Sequence, residues 1–204
     1  MAAARAITVL VHGLWVHGVL MELQRRYLAR MGFEAVCYSY PSVRLTLTEN
    51  ADRLARYART LKTPVIHWVG HSLGGLVILR MLERETLLPP GRVVLAGVPY
   101  GDTHAGRALA AHSLGARMVG RSIREWLAAT KPTQFPGRDI GVIAGTVSVG
   151  LGRVIAPDLP RPNDGAVTVA ETRLAAACDH IELSVNHTGM LLSRRMAQDR
   201  KSVV

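Results

Sequence analysis

Short β-branched runs alternate with amphipathic helical stripes along the whole of this 204-residue chain, and that alternation leaves few architectures open. Residues 6–11, 33–40, 65–69, 93–96 and 140–147 read as strands, and Ile181, Leu183 and Val185 alternate in a sixth. After the first strand, Val16, Val19, Leu20, Leu23, Tyr27 and Met31 recur at helical spacing up to a stop at Gly32. Leu47, Ala51, Leu54, Ala58 and Leu61 trace a second stripe, entered through Thr46-Leu47-Thr48-Glu49, which has capping-box form. An apolar helix runs through 76–82, one or two helices fill 104–129, and helices over 170–177 and 188–198 precede and follow the last strand. Strands that alternate with helices in this way pair in parallel, with helices on both faces. The expectation is one α/β domain over residues 1–204, three layers deep, with a mostly parallel sheet of six strands.

Composition narrows the class further. Apolar residues make up 49% of the chain and charged ones 20%, which excludes a disordered polymer. No apolar run reaches the ~20 residues that span a bilayer. Met1-Ala2-Ala3-Ala4-Arg5 leads straight to the first strand without a hydrophobic region or cleavage site, so the chain reads as cytoplasmic. Cys37 and Cys178 make neither a disulfide framework nor a metal cluster and read as free thiols. The formal net charge of +10 points to nucleic acid or anionic lipid as classes of partner. However, the arginines are scattered over helices, as at Arg25-Arg26 and at Arg53, Arg56 and Arg59, which is the pattern of a solvated surface. No nucleic acid is expected, and weak association with an anionic membrane surface is the one such reading the charge keeps open.

In a parallel sheet the functional loops gather at the carboxyl ends of the strands. That criterion selects His12-Gly13-Leu14, Ser72, Pro99-Tyr100, the loop ending at Asp164, and His187. The sharpest of these is Gly70-His71-Ser72-Leu73-Gly74, set between an apolar strand and an apolar helix. A G-x-S-x-G pentapeptide arises by chance in ~5–15% of chains this long, but the strand before and the helix after remove most such accidents. A serine hydroxyl is a poor nucleophile unless a turn exposes it and a base deprotonates it. Gly70 and Gly74 let the two arms of such a turn pass closely, and Leu73 opens the helix with its N–H free and the helix dipole behind it. Ser72 is the candidate nucleophile.

The base must lie past the last strand. His187 does, whereas its rival His180 reads as lying before that strand, at the opposite edge of the sheet. The acid that holds the imidazole should come earlier, after the preceding strand. Asp164, in Asn163-Asp164-Gly165, fits at a turn leading into a helix; Asp158 and Asp139 compete with it. An oxyanion needs a second backbone donor besides Leu73, and Leu14, in the glycine turn that ends the first strand, can supply it. His12 and His17 have no cysteine or acidic partner at ligand spacing, so no metal is expected and His12 reads as a hydrogen-bonding brace for its loop.

Taken together, His12-Gly13, Gly70-His71-Ser72-Leu73-Gly74-Gly75, Asn163-Asp164-Gly165 and Asn186-His187 resemble the lipase and esterase branch of the α/β-hydrolase fold family. Gly97-Val98-Pro99-Tyr100-Gly101 is similar to the Gly-x-Pro segment that follows a core strand in such lipases. The resemblance spans almost the whole chain. It implies a three-layer α/β-hydrolase fold in a minimal six-stranded version, without the family's first two antiparallel strands. It also implies a Ser72-Asp164-His187 triad, no cofactor and a small-molecule or lipid ester as substrate. No carboxylate stands just after His187, where calcium-dependent lipases carry a ligand, so a calcium site is not implied. Leu14, Trp15, Leu73, Tyr100 and Met190 are the expected apolar walls, with Trp15, Tyr100 and Met190 touching substrate. Residues 100–134 are the only expected cap, short enough to leave an open site. Carboxylic ester hydrolysis is the first reading. A thioesterase, acyltransferase or amidase with the same triad, or a non-catalytic binding module on the same fold, is the alternative.

Overall fold

β1 (Ile7–Val11), β2 (Glu34–Tyr38), β3 (Ile66–His71), β4 (Val93–Ala96), β5 (Ile140–Gly145) and β6 (Asp179–Leu183) form a single sheet in the order β2-β1-β3-β4-β5-β6. These elements belong to a computed structural model that describes residues 6–111 and 113–199; the leader reading of residues 1–5 lies outside the described residues. Every strand pairing is parallel, so the sheet expected to be mostly parallel is wholly so.

Alternation along each strand divides the core into two layers. Val9 and Val11 of β1 pack with α2 (Leu47–Thr60), α3 (Leu73–Arg84) and α5 (Ser113–Ala128) on one face. Leu10 points to the other face, where α1 (Glu22–Arg30) and α7 (Arg194–Asp199) lie. The α2 stripe is buried as its spacing requires, and its capping box is complete: the Glu49 N–H donates to Thr46 Oγ1 and the Thr46 N–H to the Glu49 carboxylate. From β2 the chain returns past β1 to β3, so a switch point opens between the carboxyl ends of β1 and β3.

Five local expectations change. The first helix begins only at Glu22, after a 3-10 turn at Gly18–Met21, and it buries Gln24 and Leu28 while Val19 and Leu20 stand exposed. Gln24 is buried because its amide donates to the carbonyls of Met190, Leu191 and Ser193 at 3.1, 2.9 and 3.0 Å. The helix expected over 188–198 breaks into a 3-10 turn, Gly189–Leu191, and α7, and the Gln24 amide holds carbonyls at that break. The helix over 170–177 shrinks to one 3-10 turn, Ala170–Thr172, because Cys178 is already committed to the sheet edge through its N–H bond to Ile140. His180 lies within β6 rather than before it. The long segment after β5 also holds a short helix, α6 (Leu151–Ile155). No helix among the described residues is long and apolar enough to cross a membrane.

Candidate active site

Ser72 is the single residue between β3 and α3, with φ 52° and ψ −126°. A non-glycine residue held there carries about 1–3 kcal/mol of strain, so its surroundings must impose it. They do: a Cβ at Gly74 would lie 2.2 Å from the Val11 carbonyl oxygen, and one at Gly70 only 2.4 Å from the Gly75 Cα. Only glycines let the first turn of α3 press this closely on β1 and β3. The Ser72 N–H donates to the Ala96 carbonyl at 2.9 Å, which fixes the bend against β4.

Past β6, His187 Nδ1 lies 2.7 Å from Asp164 Oδ2. The other oxygen of Asp164 accepts from the N–H groups of Ala166 and Val167 at 2.9 and 2.7 Å, and the His187 N–H donates to the Asp164 carbonyl at 2.8 Å. A carboxylate at Nδ1 places the ring proton there and leaves Nε2 as the basic atom. Burial alone would pull the His187 pKa down, yet the charge and hydrogen bond of Asp164 outweigh it and hold it above the ordinary 6.5. Burial would likewise raise Asp164, but the opposed His187 and the two loop amides hold it below 3.8. The rivals are engaged elsewhere: Asp158 meets His104 at 3.2 Å, Asp139 meets Arg92 at 3.5 Å, and His180 Nε2 lies 3.0 Å from Thr172 Oγ1.

The loop after β1 reaches the same place. A Cβ on Gly13 would sit 3.0 Å from the Ser72 Cβ. His12 braces this loop: Nδ1–H donates to the Gly13 carbonyl at 2.8 Å, Nε2 accepts the Tyr40 N–H at 3.2 Å, and the Tyr40 hydroxyl donates to the His12 carbonyl. Burial depresses the His12 pKa, as this neutral tautomer requires. Trp15 takes φ 60°, and its N–H donates to Ser42 Oγ at 3.3 Å, which holds this loop against the segment after β2. Leu73, at the first position of α3, has no partner four residues back within its helix.

Ser72 and His187 line one cavity of about 300 Å³, together with Leu14 and Trp15. Its remaining walls are mostly apolar. Leu109, Val119 and Ile123 come from α4 (His104–Ala110) and α5, and Leu151 and Ile155 come from α6. The cap is thus not confined to residues 100–134; α6 packs beside α4 and adds to the wall. Tyr100 and Met190 do not line the cavity. The Tyr100 hydroxyl is turned away to the Pro132 carbonyl at 2.7 Å, and Met190 is wholly buried in the second core layer. Leu73 does not line the cavity either, because its side chain is core. Sequence reasoning passes over His71, whose Nε2–H donates to the His187 carbonyl at 2.9 Å and so ties the elbow to the histidine loop. Among the described residues, no three His, Cys, Asp or Glu side chains converge in a metal-binding group.

A model of the alpha/beta hydrolase family matches residues 8–186. The chain belongs to the alpha/beta hydrolase family. Its fold is shared with the mature Bacillus licheniformis lipase BlEst2, at 17% identity and a TM-score of 0.78 over 100% of this chain and 94% of that one. The metagenomic carboxyl esterase MGS0156 superposes with 17% identity and a TM-score of 0.72, over 100% of this chain and 78% of that one. The ydeN gene product of B. subtilis gives 17% and 0.66, over 97% of both chains. At such identities the likeness shows the α/β-hydrolase fold alone. No curated protein matches the sequence.

Proposed function

We propose that this α/β-hydrolase cleaves carboxylic esters through an acyl-enzyme on Ser72. The observation that carries the reading is the 2.7 Å bond between His187 and Asp164, held past β6 at the wall of the cavity that Ser72 also lines. In the first step His187 Nε2 takes the Ser72 proton, and Oγ attacks the ester carbonyl. The oxyanion accepts from the N–H groups of Leu14 and Leu73, each worth roughly 3–4 kcal/mol in such sites. Collapse breaks the bond to the leaving oxygen, which receives the proton from His187. Water then repeats the sequence and frees the acid and Ser72. Asp164 keeps the imidazole in the useful tautomer and balances its transient charge. No step needs a cofactor.

The apolar walls support an acyl group as the bound portion. A cavity of about 300 Å³ lies at the small end of ligand sites, which favours short or accessible esters over long buried chains. The lipase and carboxyl esterase that share the fold are consistent with this chemistry. A p-nitrophenyl ester series from acetate to palmitate tests the reading. Short esters should turn over fastest, and Ser72→Ala should lower kcat by about 10⁶. Wild-type turnover by that variant would end the proposal, and exclusive turnover of acyl-CoA thioesters would replace the ester.

A further inference from the structure

Ten large apolar side chains stand exposed among the described residues, and nine of them belong to segments at the carboxyl edge of the sheet. Trp15, Val19 and Leu20 follow β1, and Met118 sits in α5. Val147, Val149, Leu151 and Val154 follow β5, and Leu192 follows His187. Only Leu87, between α3 and β4, lies at the other edge. Trp15, Leu20 and Leu151 also line the Ser72 cavity, so the apolar collar surrounds its mouth. Val19 and Val154, 73% and 76% exposed, extend the collar without lining the cavity. Single exposed apolar residues are ordinary, but a collar around one opening marks a surface that is covered in use.

The same segments are cationic. Arg44 follows β2, Arg117 precedes Met118, Arg153 precedes Val154, and Arg194 and Arg195 follow Leu192. None of these five meets a carboxylate among the described residues, whereas Arg59–Glu85, Arg84–Asp52 and Arg92–Asp139 neutralise other arginines near the opposite edge. The carboxylates exposed on the rim include Asp102, Asp158 and Glu49, and these are already engaged by Arg107, His104 and Arg121. A second copy of the chain would bring these unpaired cations against one another. An anionic interface would instead neutralise them while the aliphatic side chains leave water.

We infer that this rim docks on an anionic lipid surface, with the mouth of the Ser72 cavity turned toward it. Each arginine near such a surface strengthens partitioning by about fivefold, and each buried methylene by about fourfold. The surface is independent of the proposed chemistry, so it is tested in the Ser72→Ala variant, where lipid turnover cannot alter the vesicles. Trp15 is exposed and the other two tryptophans, Trp68 and Trp126, are fully buried, so tryptophan emission reports on the rim.

Phosphatidylglycerol vesicles should shift that emission to the blue and co-sediment the protein, and phosphatidylcholine vesicles should bind about tenfold less or weaker still. Added to Ser72→Ala, a V19S/V154S/L192S combination should reduce binding by more than about tenfold, and the same combination with Ser72 intact should hydrolyse a soluble short ester at an unchanged rate. Equal binding to both vesicles, no binding, or full binding by the combined variant would overturn the inference. So would a dimer in sedimentation velocity that the same substitutions dissolve, since that would assign the rim to a second copy. Vesicle binding without ester hydrolysis would uphold the rim and remove the catalytic reading instead.

Discussion

His187 sets the pH at which the proposed chemistry can run. It acts as a base only when neutral, and Asp164 holds its pKa above 6.5. The acidic limb of kcat/KM should therefore have its inflection above 6.5, with activity lost as pH falls through it. Asp164→Asn removes the stabilising charge, so that inflection should move down while kcat falls by about 10⁴. A pH–rate profile in which the two proteins share one inflection would detach Asp164 from the base. For stability the signs differ between the partners. The raised His187 contributes fully below 6.5 and loses its contribution as pH rises through its folded pKa, and the lowered Asp164 contributes above 3.8 and loses its share on acidification. Legibility at this scale depended on what a residue must do locally. Ser72 is legible because glycines two residues away on either side announce a bend that few other residues permit. Asp164 is the aspartate that fits the turn, but Asp158 and Asp139 compete with it in the sequence, because what selects it is a contact across the chain. Tyr100 and Met190 are correctly placed past strands, but spacing does not say which way a side chain leaves a loop.

Elements were legible where one face is apolar and the other polar. The α2 stripe and its capping box satisfy that condition, and every strand of the sheet overlaps its expected run, β6 beginning two residues before it. The first helix misleads because Gln24, a polar residue, sits on its buried face and Val19 and Leu20 on an exposed turn. The cap shows another kind of tertiary control. α5 breaks at Gly120, which has φ 79°, and there the Arg121 N–H donates to the Val43 carbonyl while Trp15 Nε1–H donates to the Met118 carbonyl at 2.8 Å. A Cβ at Gly120 would stand 2.8 Å from both the Cα and the carbonyl oxygen of Val43. Gly120→Ala should therefore cost about 2 kcal/mol or more, seen as a lower midpoint in urea with an unchanged slope. An unshifted midpoint would mean that the break is not imposed by packing.

On the scale of the whole molecule, the topology explains why residues so distant in the chain meet. A wholly parallel sheet sends the loops after β1, β3, β5 and β6 to one edge, and the switch between β1 and β3 opens a crevice there. That convergence is legible in the order of strands and helices. The distribution of charge is less so, because arginines scattered along the sequence read as a solvated surface until the fold separates paired from unpaired ones. If this convergence makes Ser72 nucleophilic, a fluorophosphonate probe followed by peptide mapping measures it directly. One adduct is expected, on Ser72, with a labelling rate at least about 10³-fold lower in His187→Ala. An adduct elsewhere, no adduct on folded protein, or equal labelling of His187→Ala would contradict it.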